Sequence, residues 1–183
     1  MKKLWILVLI PILMLSCTTS KEASSARSEL RKEKRLTNEL LVKNAVESRK
    51  YIIKFQRLYA LRGSYFDLVP RANFIIIDGD RAAISTAYLG RQYDIRPIAA
   101  INTRGRAEDY QVLSKLDKGK YEISLKVDNG GPNSFTLFLT ISKNGNCYAS
   151  VSSLKIDNVR YSGYLVPITD RDPQSESPEG AMI

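Results

Sequence analysis

Tyr88, Gly90, Arg91, Tyr93 and Arg96 fall within nine residues, in the run YLGRQYDIRP. Arginine forks match carboxylate and phosphate oxygens. Tyrosine rings offer flat apolar faces with a polar tip, and glycine lets a ligand or another backbone come close. The run is therefore a candidate ligand-binding stretch for an anion or a glycan. The plainer alternative is that Gly90 bends a strand, the tyrosines pack and the arginines face water. Other candidates are thinner. Asp78 and Asp80 flank Gly79, but calcium takes about six to eight oxygens, and two carboxylates astride a glycine read as a turn. Asp67, Asp94, Glu108, Asp109, Glu122 and Asp128 are scattered among strands, whereas glycoside hydrolysis needs two carboxyls about 5–9 Å apart across a cleft.

The composition excludes more chemistry than it suggests. There is no histidine, which removes Ser–His–Asp and Cys–His nucleophilic catalysis and nearly all zinc chemistry. No catalytic residue, metal or cofactor is expected, and the chain reads as a non-enzyme. A carboxylate-based hydrolase is the remaining enzymatic alternative.

Two cysteines are present, Cys17 and Cys147. Lys2 and Lys3 precede an apolar run from Leu4 to Leu15, twelve residues long. Spanning a bilayer takes about 20, so the run fits a secretory leader instead. Ordinary cleavage prefers small residues at the third and first positions before the cut. Here Met14 and Leu15 precede Ser16 and Cys17, which is the pattern of a lipobox, with methionine in place of the more usual leucine. Cys17 is thus the expected lipidation site and first mature residue. Two or more acyl chains hold a protein firmly to a membrane, where one holds it only marginally. Thr18 in the next position carries no signal for inner-membrane retention, so the outer membrane of a cell envelope is the expected address. If Cys17 carries lipid, Cys147 has no partner for a disulfide within the chain. It shares strand parity with Ala149 and Val151 and reads as a small buried hydrophobe.

The leader holds two of the 28 basic groups and none of the 19 acidic ones, which leaves the mature 167 residues at +7. That length suits one domain. The basic balance is explained by solubility and attraction to phosphate-rich head groups, and no nucleic-acid partner is expected.

Along the chain, residues 1–16 are the leader and 17–27, polar and aperiodic, read as a tether. Residues 28–50 suit a helix, with Ser28 as cap and apolar spacing at Leu30, Leu40, Leu41, Val42, Ala45 and Val46. Its first half is mostly charged and solvated; from Leu40 to Val46 it can bury a face. From Tyr51 the period changes to two. NFIIIDGDRAAISTA reads as a hairpin about Asp78-Gly79. Tyr121, Ile123, Leu125 and Val127 alternate with polar residues, as in a strand with one wet face. Phe135, Leu137, Leu139 and Ile141 form the next inward set, and Asn144-Gly145 is a strong hairpin signal. NTRGRAEDY reads as a turn with solvated Arg104 and Arg106 around Gly105. Residues 169–183, rich in Pro, Ser and acids, read as a disordered tail. The expected fold is mainly β (α+β): an N-terminal helix, then an antiparallel meander of about eight strands over 51–168. The sheet is either curved and open or closed like a barrel. Closure removes edges, whereas a helix lying on one face favours the open sheet.

Several runs, in order, resemble the DUF4251 family of Bacteroidota lipoproteins: FDLVPRANFIIIDGDRAAISTAYLGRQYDI, DYQVLSKLDKGKYEISLKV, FTLFLTISKNGNCYASVSS and VRYSGYLVPI. The likeness covers about residues 40–168. Ala87 to Tyr93 match the family's aromatic-glycine strand, and Tyr161 and Gly163 match its closing motif. The family's paired glycines after that strand are missing here, where the chain reads PIAAINTRGR. The resemblance implies the lipobox and the β-rich domain and brings no reaction with it. The functional expectation is a lipid-anchored envelope protein, held by Cys17, whose domain binds a protein, glycan or small ligand without catalysis. The alternative is an accessory scaffold of the envelope, recognised by an exposed apolar patch. The ten tyrosines are expected mostly to pack, since a glycan platform needs several on one exposed face.

Overall fold

The structure, a computed structural model, describes residues 18–60, 63–90, 100–114, 119–131 and 134–169. It divides into two units, residues 1–37 and 38–183. One helix, α1 (Thr18–Ser48), is followed by nine described strands. These are β1 (Lys50–Tyr59), β2 (Tyr65–Asp67), β3 (Phe74–Asp78), β4 (Arg81–Ala87) and β5 (Ala100–Ser114), then β6 (Lys120–Asp128), β7 (Phe135–Ser142), β8 (Asn146–Ser153) and β9 (Ile156–Pro167).

The strands form an antiparallel meander whose ends meet. β1 pairs with β3 along its first half and with β2 along its last three residues. On its other side it pairs with β9, from Tyr51 opposite Pro167 to Tyr59 opposite Arg160. Eight strands thus close into a barrel, with β2 beside the end of β1. The open-sheet alternative gives way because the helix does not need a sheet face. Val42, Ala45 and Val46 instead join the core within the second unit. There Val42 lies against the β7–β8 turn at Gly145, and Glu39 pairs with Lys143 at 3.0 Å. Leu40 and Leu41, expected to share that burial, stay 58% and 47% exposed. α1 also starts ten residues before Ser28, so the expected tether after Cys17 is helical from Thr18.

Period-two patterning places the core. Tyr121, Ile123, Leu125 and Val127 are buried on β6, Leu137, Leu139 and Ile141 on β7, and Cys147, Ala149 and Val151 on β8. Asp78-Gly79 and Asn144-Gly145 make the β3–β4 and β7–β8 turns, and Gly145 supplies the positive φ of 84°. NTRGRAEDY is not a turn. Arg104, Gly105 and Arg106 lie inside β5, where the strand leaves β4 and takes up β6. A side chain at Gly105 would run into the backbone carbonyl of Asp128, so this glycine permits a close crossing of strands.

The split within α1 has a measurable consequence. Val46→Ala removes two buried carbons and is expected to lower stability by about 2 kcal/mol. Leu40→Ala, on the wet side, should stay within about 0.5 kcal/mol of the parent. Urea unfolding of both variants tests this, and equal effects would contradict the placement of the helix.

Candidate functional site

Of the five residues singled out for binding, Tyr88 and Gly90 lie among the described residues. Tyr88 is 3% exposed and belongs to the core. A side chain on Gly90 would strike the Tyr88 ring, so this glycine makes room for a packed aromatic. Arg91, Tyr93 and Arg96 lie outside the described residues, as does Cys17.

A concave surface lies elsewhere, on the outer wall where β7, β8, β9 and β1 meet. The pairing register explains it. Phe138 stands opposite Ser150, Ser150 opposite Arg160, and Arg160 opposite Tyr59. The adjoining row runs Thr140, Tyr148, Ser162, Arg57. Neighbouring strands lie about 4.8 Å apart, so Phe138 and Tyr59 stand roughly 14 Å apart across three gaps. Large rings therefore rise at both sides, Phe138 and Tyr148 on one and Tyr59 on the other. The small side chains of Ser150 and Ser162 lie between them. The result is an open groove of about 430 Å³.

Its chemistry is aromatic, hydroxylic and singly basic. Phe138 is 50% and Tyr148 59% exposed. Tyr59 is fixed by a hydrogen bond between its hydroxyl and that of Ser162 at 3.1 Å. The Ser150 hydroxyl donates to the Asn158 side chain. Arg160 is exposed and lines the groove. No ion pair involves it among the described residues. Arg57, its neighbour on β1, is already neutralised by Asp67 at 3.1 Å and lies over the Tyr65 ring. Among the described residues that line the groove there is no carboxylate. Among the described residues no group of three His, Cys, Asp or Glu can hold a metal ion. No helix among them is long and apolar enough to cross a membrane.

Strand parity contained a signal for this surface. Leu137 and Leu139 point inward, so Phe138 between them must point out, and Tyr148 is likewise flanked by Cys147 and Ala149. A large aromatic on the wet face of an alternating strand is unusual enough to mark. Its joining to Tyr59 and Arg160 depends on β1 meeting β9, which nothing local announces.

The tyrosine and glycine of the closing motif serve the barrel, and Tyr161 also borders the groove. Tyr161 stacks on Phe55 with ring centroids 4.6 Å apart, and its hydroxyl donates to the Ala87 carbonyl at 2.9 Å. Gly163 sits opposite Phe55, where a side chain would collide with the Lys54 carbonyl.

A family model described as a domain of unknown function, DUF4251, matches residues 33–165. A solved structure of a DUF4251 family protein from Bacteroides eggerthii DSM 20697 is similar at 15% identity with a TM-score of 0.61. The match covers 80% of this chain and 96% of that one. No curated protein matches the chain. The helix-capped barrel, its closing Tyr161 and Gly163, and a family match spanning most of the sequence place this chain in the DUF4251 family.

Proposed function

We propose that this chain is a cell-envelope lipoprotein, held at the outer membrane through Cys17, whose barrel is a non-catalytic binding module. The groove between Phe138, Tyr148 and Tyr59 carries this reading. Its volume falls in the usual range for ligand sites, and it combines apolar walls with a few convergent polar groups. The side chains around it suit recognition and offer no nucleophile with a base beside it. The leader, the lipobox and the family likeness support the address.

Two experiments test the two halves. Cells fed a clickable fatty acid should label the wild-type chain and retain it in the membrane pellet. Cys17→Ser should lose both label and pelleting; label on both chains, or on neither, removes the anchor. For the module, a photo-crosslinking residue is placed in cells at Tyr148 or at Phe66. Adducts formed at position 148 and not at 66 are expected. A second reading, an accessory scaffold, draws on the exposed Tyr65, Phe66 and Val69 at and beside β2. Adducts at 66 alone would favour the scaffold and remove the groove.

A further inference from the structure

We infer that the ligand of this groove is an acidic oligosaccharide, a chain of pyranose rings bearing carboxylates of the uronic-acid kind. This rests on the binding-module reading above and narrows it to one chemistry. Three observations carry it.

The first is charge. Arg160 lines the groove with no ion pair among the described residues, and no acidic group shares the lining. The nearby Arg57 shows what satisfaction looks like on this wall, with Asp67 held at 3.1 Å. A guanidinium presents a planar fork matched to a carboxylate. The partner that completes Arg160 is anionic.

The second is shape. The rings of Phe138 and Tyr148 are about half exposed, beside the small side chain of Ser150. Flat aromatic faces stack against the C–H faces of pyranose rings. Hydroxyls such as those of Thr140 and Ser150 both donate and accept, which suits a ligand that itself carries many hydroxyls. The Ser150 hydroxyl already donates to Asn158 and keeps its acceptor sites for a ligand.

The third is the ladder beneath. Each of β7, β8 and β9 is paired on both sides over this stretch. An extended peptide commonly gains its hold by adding a strand to a free edge. Here no backbone edge is on offer, so side chains must do all the recognition. That favours a ligand read by ring faces, hydroxyls and charge over an acidic peptide read by its main chain.

The test uses the full lipidated chain purified in detergent and isothermal titration calorimetry. The acidic probes are hexagalacturonate, a hyaluronan hexasaccharide and a mannuronate hexamer; cellohexaose and hexaglutamate are the neutral and peptide controls. At least one acidic hexasaccharide should bind, with cellohexaose at least tenfold weaker and hexaglutamate not binding. Arg160→Gln should weaken the acidic ligand at least tenfold and leave cellohexaose unchanged. The double change Phe138→Ala and Tyr148→Ala should abolish both. These side chains are exposed, and an unchanged thermal midpoint shows that each variant is folded. Equal affinity for cellohexaose, binding of hexaglutamate, or an Arg160→Gln variant that binds as the parent does would overturn the inference. So would binding to none of the saccharides. In that last case, adducts at position 148 in cells would leave the binding module standing and remove only the ligand class; their absence would remove both.

Discussion

Gly163→Ala is expected to leave no cooperatively folded barrel. Gly163 faces inward on β9, opposite Phe55. A methyl group there would overlap the carbonyl of Lys54 and crowd the Cα of Phe55. Both obstacles are backbone, so no side chain can swing aside. β1 carries its bulge between Phe55 and Arg57 at this level, and bulges bend and twist a strand sharply. The two strands approach here because the barrel must close. Making room for the methyl means parting β1 from β9, the one junction that joins the ends of the meander. Parting them breaks ladder hydrogen bonds worth about 0.5–1.5 kcal/mol each. It also draws Tyr161 away from Phe55, an aromatic contact worth roughly 0.5–1.5 kcal/mol beyond its burial. A loss of about 4 kcal/mol or more is then expected, most of the 5–15 kcal/mol that holds a typical domain. Thermal unfolding followed by near-ultraviolet circular dichroism should show no sharp transition. Ser152→Ala, on the outer face of β8, should stay within about 0.5 kcal/mol of the parent. A Gly163→Ala chain that melts within a few degrees of the wild type would contradict the closure described here.

The parts of this fold that could be read from the sequence are those set by neighbours in the chain. Alternation fixed the inward residues of β6, β7 and β8, and Asp78-Gly79 and Asn144-Gly145 marked the β3–β4 and β7–β8 turns because those dipeptides tolerate the backbone a tight turn needs. What could not be read depends on partners far away in sequence. β1 and β9 are separated by about a hundred residues, and neither carries a mark naming the other. Gly105 looked like a turn between two arginines because its reason for being glycine is the carbonyl of Asp128 on another strand. β2 is three residues long and exposed, too short to show any period. The start of α1 was missed for the opposite reason. TTSKEASSA has no apolar spacing to betray a helix, although its alanines, lysine and glutamate are good helix formers. The candidate site divides in the same way. The outward Phe138 and Tyr148 were legible from parity, but the groove exists only once closure brings Arg160 and Tyr59 beside them. Tyr88 carried the opposite signal, and its ring is spent on the core.

Alkaline pH should unfold the protein steeply, and the buried acids inside the barrel set the slope. The Cys147 thiol is 1% exposed, and burial pushes its pKa well above the ordinary value. Burial does the same to the Tyr161 phenol, against a smaller opposing hydrogen bond with Thr86. Burial also raises Tyr51, helped by the Tyr110 phenol beside it at 3.1 Å. In the unfolded chain the thiol titrates near pH 8.5 and the phenols near about 10. Above those values the unfolded state gives up protons that the folded state keeps. The stability these groups contribute is therefore complete below their unfolded pKa values and is lost as pH rises toward the folded ones. Each retained proton makes stability fall by about 1.4 kcal/mol per pH unit. Above pH 10 the three groups together give a fall of roughly 4 kcal/mol per unit, with a shallower decline from about pH 8.5 due to the thiol alone. Urea midpoints measured from pH 7 to 11 read this directly. Tyr161→Phe separates the proton from the packing. At pH 7 it should cost about 1–3 kcal/mol, because the Ala87 carbonyl loses its donor in the interior. Its slope above pH 10 should then be smaller by about 1.4 kcal/mol per unit, since one retained proton is gone. Stability that stays level to pH 11, or a Tyr161→Phe variant with the parent's slope, would mean that the phenol meets water in the folded state and that the barrel interior is not packed around it.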